Sequence, residues 1–364
     1  MKSRLHTLIA GSLSCALITP IISQASPSLS GGVWFNYRNI TDSDFSSATF
    51  NSDLDSETRG DIADEALILY ADHKQEGQPW YLSAEMRFGP GGFTNPAANS
   101  TGDNFTLHKA WIAYQFTDGG ELKIGKSQVP FGWKTVNFWP GDVLLGGYGD
   151  QMDVGFKYSR SQNQLHYDLA YYHADDWGET STDTVDDNGH WGSPDSYRKM
   201  QTAVFNIEYQ LADKQTLGFS AQSGRLQDLS QYATTADAPL SGRHHAFNLH
   251  YHGQFGNFYT KAQYILVERE LPNVANKIEN WRTAIELGYT VDKWFYYLDA
   301  SIADTDTEGN TADSVQGHAL GASYSYGPGW IYLEYLTSDG DIGADGDIYQ
   351  ADFDAVYVSI DYYF

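Results

Sequence analysis

The strongest constraint on the fold of this chain is a two-residue alternation of apolar and polar side chains, which recurs from end to end. Trp281, Ile285 and Leu287 share one face of their segment, whereas Arg282 and Glu286 share the other. Successive side chains of a β-strand point to opposite sides, so this period predicts strands with one apolar and one polar face. Sixteen such segments can be counted: residues 29–40, 62–73, 80–88, 105–116, 121–129, 151–158, 164–173, 200–211, 215–223, 244–254, 257–267, 281–291, 293–303, 315–326, 330–337 and 353–364.

The breaks between these segments alternate in length. Short links, such as 117–120 and 212–214, are followed by long ones, such as 174–199 and 224–243. Short turns at one end and long loops at the other are typical of an up-and-down barrel. Most segments also approach the ~9–11 residues that a tilted strand needs to cross a bilayer. The sequence therefore predicts an all-β fold, a transmembrane antiparallel up-and-down β-barrel of 16 strands with both termini on the short-turn side.

The polar face of the segments indicates what fills such a barrel. In residues 80–88, Ser83, Glu85 and Arg87 alternate with an apolar set. A soluble barrel would be apolar inside, whereas a membrane barrel of about 16 strands holds an aqueous channel. A soluble β-sandwich is the alternative, but it has no reason to segregate its loop lengths and would expose apolar edge strands.

The first 25 residues are predicted to be a cleaved secretory signal peptide. Lys2 and Arg4 precede an apolar run, and small residues at Ser23 and Ala25 suit a cleavage site. A membrane anchor is the alternative, although the run is short and interrupted. Residues 26–364 would then form a single transmembrane β-barrel domain without cysteine, because the one cysteine of the chain is Cys15.

The charge of the chain excludes one class of partner. The formal net charge is −25, and it becomes −27 once Lys2 and Arg4 leave with the signal peptide. A surface this acidic repels nucleic acid, so no nucleic-acid partner is expected, and it attracts cations. Aromatic residues make up 15% of the chain, with 26 tyrosines. Tyrosine and tryptophan are favoured where apolar and aqueous phases meet, which suits contact with membrane lipid.

The chain ends in a strand with an apolar face. Val356, Val358, Ile360, Tyr362 and Phe364 alternate with more polar residues. This strand is predicted to close the barrel against the first one. A terminal phenylalanine after alternating aromatic residues also resembles the signal that outer-membrane proteins present to the barrel assembly machinery, which is therefore an expected partner.

The break after the fifth segment has an unusual composition. Several prolines and glycines in residues 130–150 prevent a continued strand, yet bulky side chains are frequent. A loop in free solvent would not carry them, so we predict that this third long loop folds inward against the wall. Its predicted packing residues are Pro130, Phe131, Gly132, Trp133, Phe138, Trp139 and Tyr148.

This region also carries a family resemblance. The sequence "IGKSQVPFG" at 124–132, preceded by the hairpin pattern that begins at Leu107, resembles an element of the phosphate-selective porin O/P superfamily. The resemblance is sharpest over residues 107–132. It implies a homotrimeric outer-membrane porin of Gram-negative bacteria, with sixteen strands and a third loop that narrows the channel. The chain departs from the phosphate-selective members because it lacks their rows of pore arginines and lysines.

Charged residues of both signs are candidates for the pore lining. The alternation assigns to the lumen the basic residues Arg38, Arg87, Lys109, Lys123, Lys157, Lys261 and Arg282 and the acids Glu85, Asp153, Asp168, Glu208, Glu286, Asp299, Glu334 and Asp361. Lys134 and Asp142 of the third loop join the candidate constriction set. Mixed charges suit a transverse field across a constriction. The alternative is that each merely solvates the wall.

Acidic clusters in the long loops suggest at most loosely bound Ca²⁺. Closely spaced carboxylates occur in residues 303–313 and 338–352, but the series that starts at Asp304 lacks the glutamate that would complete a calcium-binding loop. No other cofactor is expected, and no metal site is predicted. His250 and His252 share one strand face and could bind a metal, although a position in the lumen or in the aromatic belt is the simpler interpretation.

Three functions remain open from the sequence. The first is a bacterial outer-membrane porin for passive diffusion of small hydrophilic solutes and ions, with a mild cation preference from its acidic mouth. The second is a substrate-selective porin for phosphate, dicarboxylates or sugars. The third is a barrel enzyme or adhesin with a closed lumen, but no nucleophile stands in a distinctive setting, so an enzyme is not predicted.

Overall fold

The computed structural model describes residues 27–44, 59–89, 105–132, 152–174, 197–228, 239–272, 274–343 and 345–364. The predicted signal peptide lies outside these ranges. The strands are β1 Ser28–Ser43, β2 Asp61–Lys74, β3 Trp80–Phe88, β4 Phe105–Gln115, β5 Glu121–Gln128, β6 Met152–Gln162, β7 Leu165–Ala174, β8 Tyr197–Ala212, β9 Gln215–Asp228, β10 Gly242–Phe255, β11 Phe258–Glu270, β12 Lys277–Val291, β13 Trp294–Thr305, β14 Val315–Ser325, β15 Trp330–Ile342 and β16 Ile348–Tyr363.

The sixteen strands form one closed antiparallel barrel in which each pairs with its neighbours in sequence. Strand β16 closes the ring on β1, with Phe35 opposite Ile360 and Gly32 opposite Tyr363. Backbone bonds at the seam continue to the last residue, where Phe364 and Gly31 exchange N–H···O=C bonds of 2.9 and 3.0 Å. This confirms the predicted fold class and the closing role of the final strand.

Short turns connect the strands at the end where both termini lie. Between the strands that the structure describes, four of the connections have two residues each, and Lys214 and Asp292 adopt positive φ there, at 57° and 52°. Such left-handed residues match the twist of two-residue hairpins. Gly256 has the same sign of φ in the β10–β11 turn. The opposite end carries the longer connections, as the alternating break lengths predict.

The outer surface is an apolar band. Ile285, Leu287, Leu298, Leu320 and Leu333 are all large, apolar and between 41 and 61% exposed. A soluble protein does not expose a continuous ring of such side chains, whereas lipid requires one. Within the described segments, no helix has the length and hydrophobicity needed to cross a membrane.

Aromatic residues border this band at both ends. Near the short turns, ring centroids of Trp80 and Tyr114 lie 4.8 Å apart, and those of Trp294 and Tyr324 are equally close. Toward the long loops, Tyr264 stacks on Trp281 at 6.1 Å. Tryptophan and tyrosine concentrate at both faces of a membrane, because the ring prefers the apolar side and the polar tip prefers water. The two aromatic borders therefore indicate the limits of the membrane-spanning zone.

One predicted loop is largely strand. Residues 338–352 were expected to form an acidic loop in solvent, but β15 continues to Ile342 and β16 begins at Ile348. Only residues 343–347 connect them, with a bond of 2.9 Å from the Gly343 amide to the Asp347 carbonyl. The sequence did not predict these strands, because the hairpin alternates polar with small residues and lacks the apolar face by which membrane strands are recognised.

Candidate functional site: the inner wall of the barrel

The inner wall is polar and charged around much of its circumference. Glu85, Asp153, Arg282 and Glu286 point inward and are buried, as is Arg38. The other strand residues assigned to the lumen are Arg87, Lys109, Lys123, Lys157, Lys261, Asp168, Glu208, Asp299, Glu334 and Asp361, and they occupy the same inward-facing positions of the alternation. The predicted loop residues Trp133, Lys134, Phe138, Trp139, Asp142 and Tyr148 lie outside the described residues.

One charged group lies on the wall formed by β1, β3 and β16. The Arg87 Nε is 2.8 Å from the Glu85 carboxylate, and the Arg87 guanidinium lies 5.5 Å from the Trp34 ring centroid. Beside them, the Ser359 hydroxyl donates a 2.6 Å bond to the Asn36 amide oxygen across the closing seam. Two adjacent side chains of opposite sign on β3 thus hold each other along the wall.

A second group lies on β11, β12 and β13. The Lys261 Nζ is 3.4 Å from the buried Glu286 carboxylate, and it lies 5.3 Å from the Tyr259 ring centroid. Asp299 is opposite Glu286 on the other side, so two acids occupy adjacent strands beside one lysine. Lys261 therefore contributes positive charge to a part of the wall that is otherwise acidic.

Between these groups, a hydrogen-bond network covers β6 to β9. The Asp168 carboxylate accepts bonds from Ser159 at 2.5 Å and Asn206 at 3.0 Å, and the His166 Nε2 is 3.1 Å away. Ser220 donates a 2.9 Å bond to the Asn206 amide oxygen and so extends the network to β9. Because the acceptors of Asp168 are satisfied within the wall, its orientation is fixed.

The network continues to β10 through a histidine. The His250 Nε2 lies 3.5 Å from the Glu208 carboxylate, and its Nδ1 is 3.0 Å from the Asn248 amide oxygen. This side chain is almost fully buried and lies over Gly218, where a Cβ would collide with the ring. The histidine therefore packs flat against the wall, and His252 lies on the same face of β10.

The chain leaves the wall after β5 and passes along the inner face. Phe131 is 1% exposed and packs with Val129 of its own segment. The rest of its cluster comes from inward-facing residues of β7, β8, β10 and β11, namely Ala170, Tyr172, Val204, Ala246, Ile265 and Val267. The Gly132 amide donates a 3.1 Å bond to the Ser220 hydroxyl of β9. Pro130, directly before Phe131, is half-buried. The first residues of the third long loop therefore lie inside the barrel, several strands away from β5.

Glycines on the inner face make room for aromatic rings. A Cβ at Gly288 would collide with the Phe295 ring, and one at Gly321 would collide with Tyr297. Phe295 and Tyr297 stack with centroids 5.8 Å apart, and the Tyr297 hydroxyl donates a hydrogen bond to Glu334. The rings therefore lie flat on the wall and take little width from the lumen. Sequence analysis missed this patch, although the glycines at inward positions were a usable signal.

A second feature missed by sequence analysis is an apolar cluster inside the barrel at the long-loop end. We call it the apolar shelf, and it consists of Ile40, Ala303, Val315, Ala319, Leu336, Ile342, Ile348, Phe353, Ala355 and Tyr357. Single apolar residues at inward positions of several strands carry no periodic signal, so only the closure of the barrel assembles them. The end of the β15–β16 hairpin supplies Ile342 and Ile348 to the shelf.

No protein-family model matches this chain, and no curated protein matches it either. Solved structures do. OmpT, an outer membrane protein of Vibrio cholerae in trimer form, shares 13% identity with a TM-score of 0.61 over 93% of this chain and 99% of its own. The outer membrane channel DcaP of Acinetobacter baumannii shares 15% identity with a TM-score of 0.58, over 93% of this chain and 97% of its own. An anion-selective porin from Comamonas acidovorans shares 12% identity with a TM-score of 0.59, over 93% of this chain and 99% of its own.

This chain has the porin fold. Identities this low relate folds only, but each match covers nearly the whole length of both chains. The porin fold and the apolar outer band are those of bacterial outer-membrane proteins. Among the described residues, no group of three or more histidine, cysteine, aspartate or glutamate side chains is placed to hold a metal ion. Loosely bound Ca²⁺ at the acidic loops stays a prediction.

Proposed function

We propose that this protein is a bacterial outer-membrane porin that allows small hydrophilic solutes and ions to diffuse through a water-filled channel. The observation that carries the proposal is the inner wall, where charged side chains of both signs line a closed barrel of sixteen strands. Charged groups in a membrane require water or partners, and barrels of about 16 strands are wide enough for water. An enzymatic role is not part of the proposal.

The third long loop is proposed as the main constriction. Phe131 and Gly132 contact inward-facing residues of β7 to β11, which supports an inward course for the loop that follows. The bulky residues of 133–150 would then fill part of the lumen, and Lys134 and Asp142 would face the strand charges across the opening. This arrangement is what the resemblance to the phosphate-selective porin O/P superfamily implies. The superfamily itself stays part of the proposal.

A mild cation preference is expected from the net charge of −25. Negative potential at the mouth raises the local cation concentration. Measured with purified protein in a planar bilayer under a KCl gradient, the reversal potential should have the sign of K⁺ over Cl⁻. A clear preference for Cl⁻ would contradict the acidic-mouth argument and favour an anion channel, and a silent protein would contradict the porin function itself.

The Lys261–Glu286 pair gives a sharper prediction, because its two members should act in opposite directions. Lys261→Gln removes a positive charge from the acidic wall and is expected to increase the preference for K⁺, whereas Glu286→Gln is expected to decrease it. Each shift should be modest, since the charges at the wall are screened over a Debye length of about 8 Å at physiological salt. Reversal potentials of the two variants, each compared with wild type, provide the measurement. Shifts of the same sign would contradict this prediction.

A substrate-selective porin is the second candidate, favoured by the aromatic patch on the inner wall. Tyr259, Phe295 and Tyr297 form a continuous row of rings beside Lys261, with Tyr259 and Phe295 centroids 6.3 Å apart. Aromatic faces beside polar groups suit the apolar faces and hydroxyls of sugar rings. Block of single-channel current by a sugar, a dicarboxylate or phosphate at micromolar concentration would support selectivity, and no block by any of them would favour general diffusion.

The assembly is proposed to be a homotrimer in contact with lipid and lipopolysaccharide, inserted by the barrel assembly machinery through its C-terminal strand. The trimer form of the Vibrio cholerae neighbour supports this state for the fold. Unboiled protein in a detergent gel should migrate as three chains, and conductance should rise in steps that group in threes.

A further inference from the structure

The hairpin β15–β16 bends into the barrel near its tip. The register between the two strands shifts between Ser338 and Gly340. The Asp339 carboxylate there accepts a hydrogen bond from the backbone N–H of Gln316 on β14. A bulge of this kind bends a hairpin and re-aims it. Gly340 follows at once, and a Cβ at this position would collide with the Val315 side chain. The backbone of the hairpin therefore lies directly on the inner face of β14.

The end of the bent hairpin packs against the other residues of the apolar shelf. Ile342 and Ile348 are the last residue pair of the hairpin, and both are 2% exposed or less. They pack with inward-facing residues of β1, β13, β14, β15 and β16. Burying two isoleucine side chains in this way stabilises the tip relative to leaving them in water. The tip is thereby fixed in position by apolar contacts as well as by hydrogen bonds.

A buried aspartate anchors the tip to the neighbouring strands. The Asp347 carboxylate accepts hydrogen bonds from Thr305 at 2.8 Å, Asn310 at 2.7 Å and Asn280 at 3.3 Å. Asn310 also donates to the Ile348 carbonyl at 3.0 Å. Three donors from β12, β13 and the β13–β14 loop converge on one side chain that is 1% exposed. A buried carboxylate held this way is costly to break, because removing it leaves several donors unpaired.

Two arginines, one on β11 and one on β12, hold the backbone of the same tip. The Arg269 guanidinium donates to the Asp345 carbonyl at 3.2 Å, and Arg282 donates to the Gly346 carbonyl at 3.2 Å. Asn280 donates to that second carbonyl at 2.9 Å. Gly346 has a φ of 86° and lies against the Arg269 guanidinium, so a side chain is excluded there by both conformation and space. The tip therefore reaches from β15 and β16 to the inner faces of β11 and β12.

We propose that the tip of the β15–β16 hairpin, at residues 345–347, forms a second, fixed restriction of the channel, which narrows the half of the channel near the long loops from the β11–β13 side. Asp347 is the positioning residue that holds the restriction in place. The proposal rests on the porin function proposed above and adds a structural determinant of its size limit. The restriction is distinct from the third loop, whose first residues contact β7 to β11.

The test compares pore size with and without the anchor. Asp347→Ala removes the acceptor for three donors, and a second variant replaces residues 343–347 by Asn-Gly, which shortens the hairpin to a two-residue turn. Asp313→Ala is the matched control, because it removes the same charge from an exposed position on the adjacent loop. Single-channel conductance and liposome swelling with sugars of increasing size are measured for all four proteins, after unboiled gel mobility shows a folded barrel.

For both tip variants we expect conductance and the entry rate of the largest permeant sugar to rise, on the order of twofold, since the pore wall recedes when the tip is removed. The control should match wild type. Unchanged conductance and sugar cut-off in the shortened variant would overturn the inference while leaving the porin function standing. A wild-type protein that conducts nothing would instead overturn the porin function.

A labelling experiment tests the anchor without relying on conductance. The predicted mature chain has no cysteine, so Ile348→Cys introduces a unique thiol at a position that is fully buried under the tip. A water-soluble maleimide should modify it slowly, and adding Asp347→Ala should raise the rate at least tenfold by freeing the tip. Rapid labelling of Ile348→Cys alone would overturn the proposed anchoring.

Discussion

A chain truncated before Phe353 is expected to form no closed barrel. Strand β16 pairs with β1 over Gly32 to Ser43 and with β15 along nearly its whole length. Removing its C-terminal part leaves two strand edges facing lipid, and each unpaired backbone group there costs several kcal/mol. The expected result is complete loss of the compact, heat-sensitive form that folded barrels show in unboiled gels, and loss of the β-sheet circular dichroism spectrum in detergent.

The control for this truncation is Phe364→Ala. The Phe364 backbone bonds to Gly31, whereas its side chain is 67% exposed on the outer surface. The variant should therefore fold in detergent as well as wild type. If the terminal ring is read by the barrel assembly machinery, the same variant should insert poorly in cells. Failure of Phe364→Ala to refold in detergent would mean that the ring contributes to closure itself.

Replacing Ile285 by arginine is expected to destabilise the folded barrel by about 2–4 kcal/mol, the cost of a charge on the lipid face at the bilayer midplane. Ile285 lies midway between Trp281 and Tyr289 on β12, which belong to the two aromatic borders. Its side chain is 45% exposed and points to the outside. The measurement is the free energy of unfolding in urea for protein folded into lipid vesicles.

The matched control is Gln263→Arg, which places the same charge at the same depth on the other face. Gln263 is adjacent to Ala262, the residue opposite Ile285, and its amide oxygen accepts a 2.9 Å bond from Asn248. Losing that bond should cost only about 1 kcal/mol, since the new guanidinium faces water. Equal losses for the two variants would contradict the assignment of lipid and lumen faces.

The sequence specified most of the wall because a strand with lipid on one side and water on the other must alternate. This constraint is local, and the alternation of apolar and polar side chains can therefore be recognised in residues 281–289 without any tertiary information. It assigned Arg282 and Glu286 to the inside and Ile285 and Leu287 to the outside, as the structure shows. Counting the alternating segments predicted the number of strands, and the alternation of break lengths predicted the position of the termini, since strands that run up and down share their turns between two ends.

The contacts inside the barrel were beyond the reach of sequence. Whether Phe131 meets Ile265, or Asp347 meets Thr305, depends on which strands face each other after closure, and nothing local encodes that. Residues 338–352 are the clearest example of a structure that the sequence did not predict. Their acids and glycines indicated a loop in solvent. Asp347 is nevertheless buried, because its carboxylate accepts hydrogen bonds from residues that lie far away in the sequence. Periodicity determined the two faces of the membrane-spanning part of the strands, because each strand meets lipid and water independently. Only the closed barrel decided what occupies the lumen, because those partners lie far apart in the chain and meet only once the ring is complete.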